Sequence, residues 1–170
     1  MDELCQRLAD DVDGAFPDLV AAMRDDLYSG LRRLHLADAE DLTQEALIRA
    51  YRALKGYEPA RIRTMNLRGW MWTIPLNVGR NHLRDRARRP QPVGLEDRHG
   101  AEDPEPPDLR AWDSRLARLT PRQRRSVVLR HVVGLEYAEI AAATGAPEGT
   151  VKSDVHRALA RLRTIMEAEA

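Results

Sequence analysis

The stretch that most restricts the possible folds is residues 135–163, LEYAEIAAATGAPEGTVKSDVHRALARLR. Val151, Val155, Leu159 and Leu162 recur at spacings of four, four and three, which predicts one apolar stripe along a helix. A shorter helix precedes it from Tyr137, with Ile140, Ala141 and Ala142 as its apolar side. Gly145 supplies the backbone freedom to end that helix and turn, and Pro147 suits the first turn of the next. Thr150, Lys152, Ser153, His156, Arg157 and Arg161 fall on the side away from the stripe. Two helices, a glycine turn and a basic, hydroxyl-bearing outer face together make a helix-turn-helix candidate.

The remaining 141 or so residues also favour helices by composition. Hydrophobic residues are 43% of the 170, yet there is only one Phe, so the core must come mainly from Leu, Val, Ile and Ala. The single cysteine, Cys5, rules out an internal disulfide or a multi-cysteine zinc site within the sequence. The five histidines, His35, His82, His99, His131 and His156, follow no metal-binding spacing, and there is no glycine-rich phosphate loop. No run approaches the roughly 18 apolar residues of a membrane span. The acidic N-terminus lacks a signal-peptide core, so a cytoplasmic location is expected. Net charge is zero, but it is distributed in blocks: −6 over residues 1–60, +7 over 61–90, −5 over 91–108 and +4 over 109–170. The two basic blocks are candidate polyanion surfaces.

Two helices are expected in residues 1–34, the first running from Asp2 to about Asp13 and the second starting at Pro17. A third opens at Asp38, with Leu42, Ala46, Leu47, Ala50, Tyr51 and Leu54 as its stripe and Asp41, Gln44, Glu45 and Arg49 on another side. Residues 55–66 are expected to be a loop, in which Tyr57 near Arg61 and Arg63 offers an aromatic face beside cations. The block LRGWMWTIPLNVGRNHLRDRARR, residues 67–89, combines Trp72 with Asn77, Arg80, Asn81, Arg84 and the Arg86–Arg88–Arg89 run, which suits an unstacked single strand better than duplex alone. Trp70, Ile74 and Val78 are its expected apolar side, and Pro75 predicts a kink or local break near 72–75. Residues 90–108 hold five of the ten prolines and six acids, and are expected to form a flexible linker. Beyond it, Leu109, Trp112, Leu116 and Leu119 form a stripe, and Thr120-Pro121 is an N-cap followed by proline. The helix after it is expected to bury Val127, Val128 and Val132 and to expose Arg122, Arg124, Arg125 and Arg130.

LTPRQRRSVVLRHVVGLEYAEIAAATGAPEGTVKSDVHRALARLR resembles region four of bacterial sigma factors, and DAEDLTQEALIRAYRAL with WMWTIPLNVGRNHLRDRARR resembles region two. The pair, in this order and at this length, is similar to the extracytoplasmic-function (group four) sigma factors, members of the sigma-70 superfamily. The resemblance implies an all-α chain: region two at residues 1–89, linker at 90–108, and region four at 109–170. It implies that Asp41, Gln44 and Glu45 meet the beta-prime clamp helices of core RNA polymerase, with the beta flap as a further contact. Tyr57, Trp72, Asn77, Arg80 and Arg84 would engage the melted minus-ten element. Thr150, Lys152, Ser153, His156, Arg157 and Arg161 would engage the minus-thirty-five element. Asp154 departs from the family pattern, standing where a basic residue is common and where a carboxylate would face DNA. The partners implied are core polymerase, promoter DNA and an anti-sigma factor. No cofactor, metal, small-molecule substrate, membrane insertion or enzymatic activity is implied. The rival readings are a stand-alone helix-turn-helix regulator and a sigma-like decoy.

Overall fold

The computed structural model describes residues 1–34, 39–88 and 107–169, and the side chains of 1–34, 39–78 and 109–169. Most of the expected linker, Asp38, and the side chains of Arg80 and Arg84 lie outside the described residues. The described residues form nine helices and no strand: α1 (Asp2–Asp10), α2 (Val12–Arg33), α3 (Ala39–Lys55), α4 (Pro59–Thr64), α5 (Leu67–Arg88), α6 (Pro107–Ala117), α7 (Pro121–His131), α8 (Tyr137–Thr144) and α9 (Glu148–Glu169).

Several boundaries differ from the sequence expectation, each for a local reason. The chain breaks at Asp11, whose backbone is extended, so α2 starts five residues before Pro17 and carries that proline inside it. The expected loop at 55–66 contains α4, with Pro59 in its first turn and Ile62 buried beneath it. The break expected near Pro75 is absent, and α5 runs through it as helix. Proline loses its own N–H bond and crowds the Met71 carbonyl, but burial of Met71, Trp72, Leu76 and Val78 holds the flanking turns in place. Thr120 caps α7 as expected: its Oγ1 accepts from the Gln123 N–H at 3.3 Å, and Gln123 Oε1 accepts from the Thr120 N–H at 3.2 Å.

α2 packs on α3, α1 on α2 and α4, and α3 on α5. In the C-terminal half α7, α8 and α9 pack on one another, with α6 against α9. The two halves share one continuous core, because α5 is also packed on α8. Met71 and Trp72 of α5 and Leu135 and Ile140 around the start of α8 are all fully buried in it. Gly30 of α2 allows close approach here; a Cβ at that position would lie 2.5 Å from the Trp72 ring and 3.1 Å from Val133. Polar ties rim this contact. The Asn66 amide donates to Glu139, Arg68 donates to the Val133 carbonyl, and Arg32 pairs with Asp113 at 3.3 Å.

The apolar faces differ from the sequence expectation on α5, α7 and α9. Trp72 is fully buried, so in this arrangement it is not available to stack on a DNA base. Trp70 and Ile74, expected in the core, are only half-buried. Val132, expected inside, is 48% exposed, and Ser126, Leu129 and Val133 are buried instead. Leu159 is 42% exposed, and the stripe of α9 runs through Val151, Val155, Ala158, Leu162 and Ile165.

Candidate nucleic-acid interface

The helix-turn-helix forms as its local chemistry requires. Glu136 and Glu139 close a reciprocal cap at the start of α8, satisfying N–H groups that have no partner within the helix. Gly145 ends α8 at φ +70, with its N–H bonded to the Ala141 carbonyl. The Pro147 carbonyl then accepts from the N–H groups of Thr150 and Val151, which sets the first turn of α9.

The buried stripe of α9 leaves Lys152, Ser153, His156, Arg157 and Arg161 exposed, with Thr150 half-exposed among them. Lys152 pairs with Glu148 at 2.7 Å, and this bond is the main cause that raises its pKa, so its charge is secure at neutral pH. Ser153 Oγ donates back to the Gly149 carbonyl at 2.9 Å, which leaves its lone pairs free to accept. Asp154 does not face outward; it is 7% exposed and turns between α9 and α7. Of the arginines expected on α7, only Arg122 is largely exposed. Arg124 donates to the Leu116, Ala117 and Leu119 carbonyls, and Arg130 to the Leu135 carbonyl and Glu136. Desolvation lowers the pKa of Arg124, and the Glu136 bond raises that of Arg130.

A second surface surrounds the first half of α5. Tyr57 is half-buried, edge-on to Trp70 at 5.9 Å between ring centres. The Arg61 guanidinium lies over its other face, 3.6 Å from the ring centre. An aromatic face with a movable cation above it can accept an unstacked base when the cation swings to a phosphate. Asn77 is exposed further along α5, and Arg80 and Arg84 follow it at helical spacings of three and four.

The third surface lies across α2 and α3. Asp41 and Gln44 are exposed, and Glu45 is half-buried with the Arg49 Nε 2.5 Å away. A cleft beside them is lined by Arg24, Asp25, Tyr28, Glu40, Thr43, Gln44 and Leu47. Tyr28 is 42% and Ile48 45% exposed, two large apolar side chains that the sequence reading missed. Ile48 could have been found: it sits one turn after Gln44 and outside the buried stripe of α3.

Two helical bundles, one bearing a helix-turn-helix and the other an aromatic, amide-bearing helix, define an all-helical protein of the helix-turn-helix class. Family models agree: residues 19–89 match "Sigma-70 region 2" and residues 109–162 match "Sigma-70, region 4". The chain is 37% identical to RNA polymerase sigma-E factor of Streptomyces avermitilis, over 90% of this chain and 86% of that one. It is also 37% identical to ECF RNA polymerase sigma factor SigE of Mycolicibacterium smegmatis, over 88% of this chain but 60% of the relative's length. Among solved structures, CnrH in complex with the cytosolic domain of CnrY superposes with a TM-score of 0.73 at 25% identity, covering 99% of this chain and 98% of that one. The sigma factor RpoE in complex with the anti-sigma factor NepR from Bartonella quintana gives 0.71 at 26% identity, covering 91% and 98%. The chain belongs to the extracytoplasmic-function family of RNA polymerase sigma factors. Among the described residues, no helix is long and apolar enough to cross a membrane.

Proposed function

We propose that this chain binds core RNA polymerase and directs promoter-specific transcription initiation in the cytoplasm, itself catalysing nothing. The observation that carries the reading is the outer face of α9. Five side chains able to contact bases or phosphates are solvent-exposed there, opposite a buried stripe that is apolar except for Asp154, behind a turn of helix-turn-helix geometry. In this reading Lys152, Ser153, His156 and Arg157 read the minus-thirty-five duplex, while Thr150 and Arg161 take phosphates. Tyr57 and Asn77 hold bases of the melted minus-ten element, and Arg80 and Arg84 its backbone. Trp72 drops out of that group because it is buried. Asp41, Gln44 and Glu45 dock on the beta-prime clamp helices, and Tyr28 and Ile48 add apolar area beside them. The beta flap would hold the C-terminal half.

Residues 1–89 and 109–170 then act as region two and region four, linked through 90–108. Tethering both to one polymerase multiplies two weak DNA affinities through effective concentration. The likeness to RpoE bound to NepR supports an anti-sigma factor as a further partner.

Run-off transcription by core polymerase from the region upstream of this protein's own gene tests the reading. Transcripts should require the protein and fall at least tenfold with Asn77→Ala or Gln44→Ala, both exposed positions. No transcript, together with salt-sensitive binding of the same duplex by the protein alone, would support the stand-alone regulator instead. Core binding without transcript or DNA binding would support the decoy.

A further inference from the structure

We infer that Asp154 is a positioning residue for duplex reading and that Arg122, outside the recognition helix, is a further phosphate contact. The inference rests on the proposed reading of duplex DNA by α9.

Asp154 occupies the buried side of α9 between Val151, Val155 and Ala158, where an apolar residue would suit the packing. Its Oδ2 accepts from Arg122 Nη2 at 3.1 Å and from Arg122 Nε at 3.3 Å. Its Oδ1 accepts from Arg157 Nη2 at 3.1 Å. One carboxylate thus holds two guanidinium groups, one from the N-terminal turn of α7 and one from the outer face of α9. The Asp154 side chain is 10% exposed, whereas those of Arg122 and Arg157 are 60% and 61% exposed.

The arrangement leaves the cations free to act. A guanidinium has five N–H donors. Arg122 spends donors from Nε and Nη2 on Asp154, and Arg157 spends one Nη2 donor. The rest of each group remains available to a second acceptor. Fixing a planar fork in advance reduces the conformational entropy lost when it grips an oxygen. The cluster carries one net positive charge and therefore suits a polyanion. Arg157, on the recognition helix, is placed to reach a base edge or its flanking phosphate. Arg122 sits one helix away, where a backbone phosphate beside the major groove is the acceptor in reach of a docked α9. The departure of Asp154 from the family pattern is then a change of mechanism: the carboxylate aims cations at DNA from behind.

The test uses the full chain and a duplex selected from random sequence by the wild-type protein, with a scrambled duplex of equal composition as control. Affinity is measured by fluorescence anisotropy across a salt series, below the melting temperature of every variant. Arg122→Ala, a truncation of an exposed side chain, should weaken both duplexes about tenfold and reduce the salt slope by about one. Asp154→Asn should weaken the selected duplex several-fold while leaving the scrambled duplex unchanged or tighter, because a negative charge is lost. Adding Asp154→Asn to Arg122→Ala with Arg157→Ala should cause no further loss of selectivity. A proportional loss on both duplexes with Asp154→Asn would mean a packing role only and overturn the positioning assignment. An unchanged salt slope with Arg122→Ala would overturn the phosphate contact. If the wild type selects no sequence in either the free or the polymerase-bound state, the duplex-reading proposal fails first and this inference with it.

Discussion

Asp13 shows how one surface carboxylate can tie two helices. It accepts from the Tyr51 hydroxyl at 2.6 Å and from the Lys55 ammonium at 2.8 Å, joining α2 to α3. The Lys55 bond, and then the Tyr51 bond, hold its carboxyl below the usual range. Its support for the fold is therefore present above the unfolded carboxyl value of about 3.9 and is lost as pH falls through the lower folded value. The same bonds push Tyr51 and Lys55 up. For Lys55 the support is present below about 10.4 and is lost as pH rises through the higher folded value. Asp13→Asn should bring the Tyr51 phenolate transition down toward its ordinary value, read as phenolate absorbance against pH. An unmoved transition would mean that the bond is not formed in solution. At this scale the sequence was legible where a residue acts on its own backbone, as Gly145, Thr120 and Pro121 do. It was not legible for Asp154 or Trp72. Whether such a side chain turns in or out depends on a helix distant in sequence, and an acid beside two arginines looks like a solvated surface until the helices are packed.

At the scale of elements, α5 is the informative case. Pro75 leaves the Met71 carbonyl without its helical partner, a cost of about 3 kcal/mol in an ordinary helix interior. Replacing the buried ring by alanine removes roughly two methylene groups, about 1.6 kcal/mol of burial. Pro75→Ala should therefore stabilise the chain by about 1 kcal/mol and raise the melting temperature by a few degrees. Calorimetry would show it, and a lower melting temperature would mean that the lost ring packing outweighs the recovered hydrogen bond. The expected break failed for a related reason: the propensity cost is local, whereas α5 is held by packing on both α3 and α8. Double packing also hid its face from periodicity, since a helix covered on two sides has no clean stripe. The missed α4 has only six residues, too few for a pattern, and Pro59 was its one legible signal.

For the whole molecule, the shared core means that the two halves are not independent beads. Gly30→Ala tests the closest point. Alanine gains about 1 kcal/mol of helix propensity. Its methyl group would overlap the Trp72 ring, and overpacking of this kind typically costs about 1–3 kcal/mol. The expected result is a net lower melting temperature, with red-shifted tryptophan emission and a larger radius of gyration by solution scattering. A higher melting temperature with an unchanged radius would show that the halves do not rest on each other there. The sequence could divide the chain by composition at residues 90–108, but docking of the two parts depends on shape at Gly30, Trp72 and Val133. No short window contains all three.

Cys5 lies on α1 within the core of the N-terminal bundle, 3% exposed, its thiol 3.8 Å from the Met65 carbonyl. Burial, more than any neighbouring charge, pushes its ionisation up. A thiol reagent can reach it only when α1 opens away from the helices it packs on, α2 and α4, and only the thiolate then reacts. Because the chain has one cysteine, its labelling rate is a clock for that single opening event. Run with and without polymerase or DNA, the clock reports whether a partner bound elsewhere steadies the first helix, with no probe engineered into the protein.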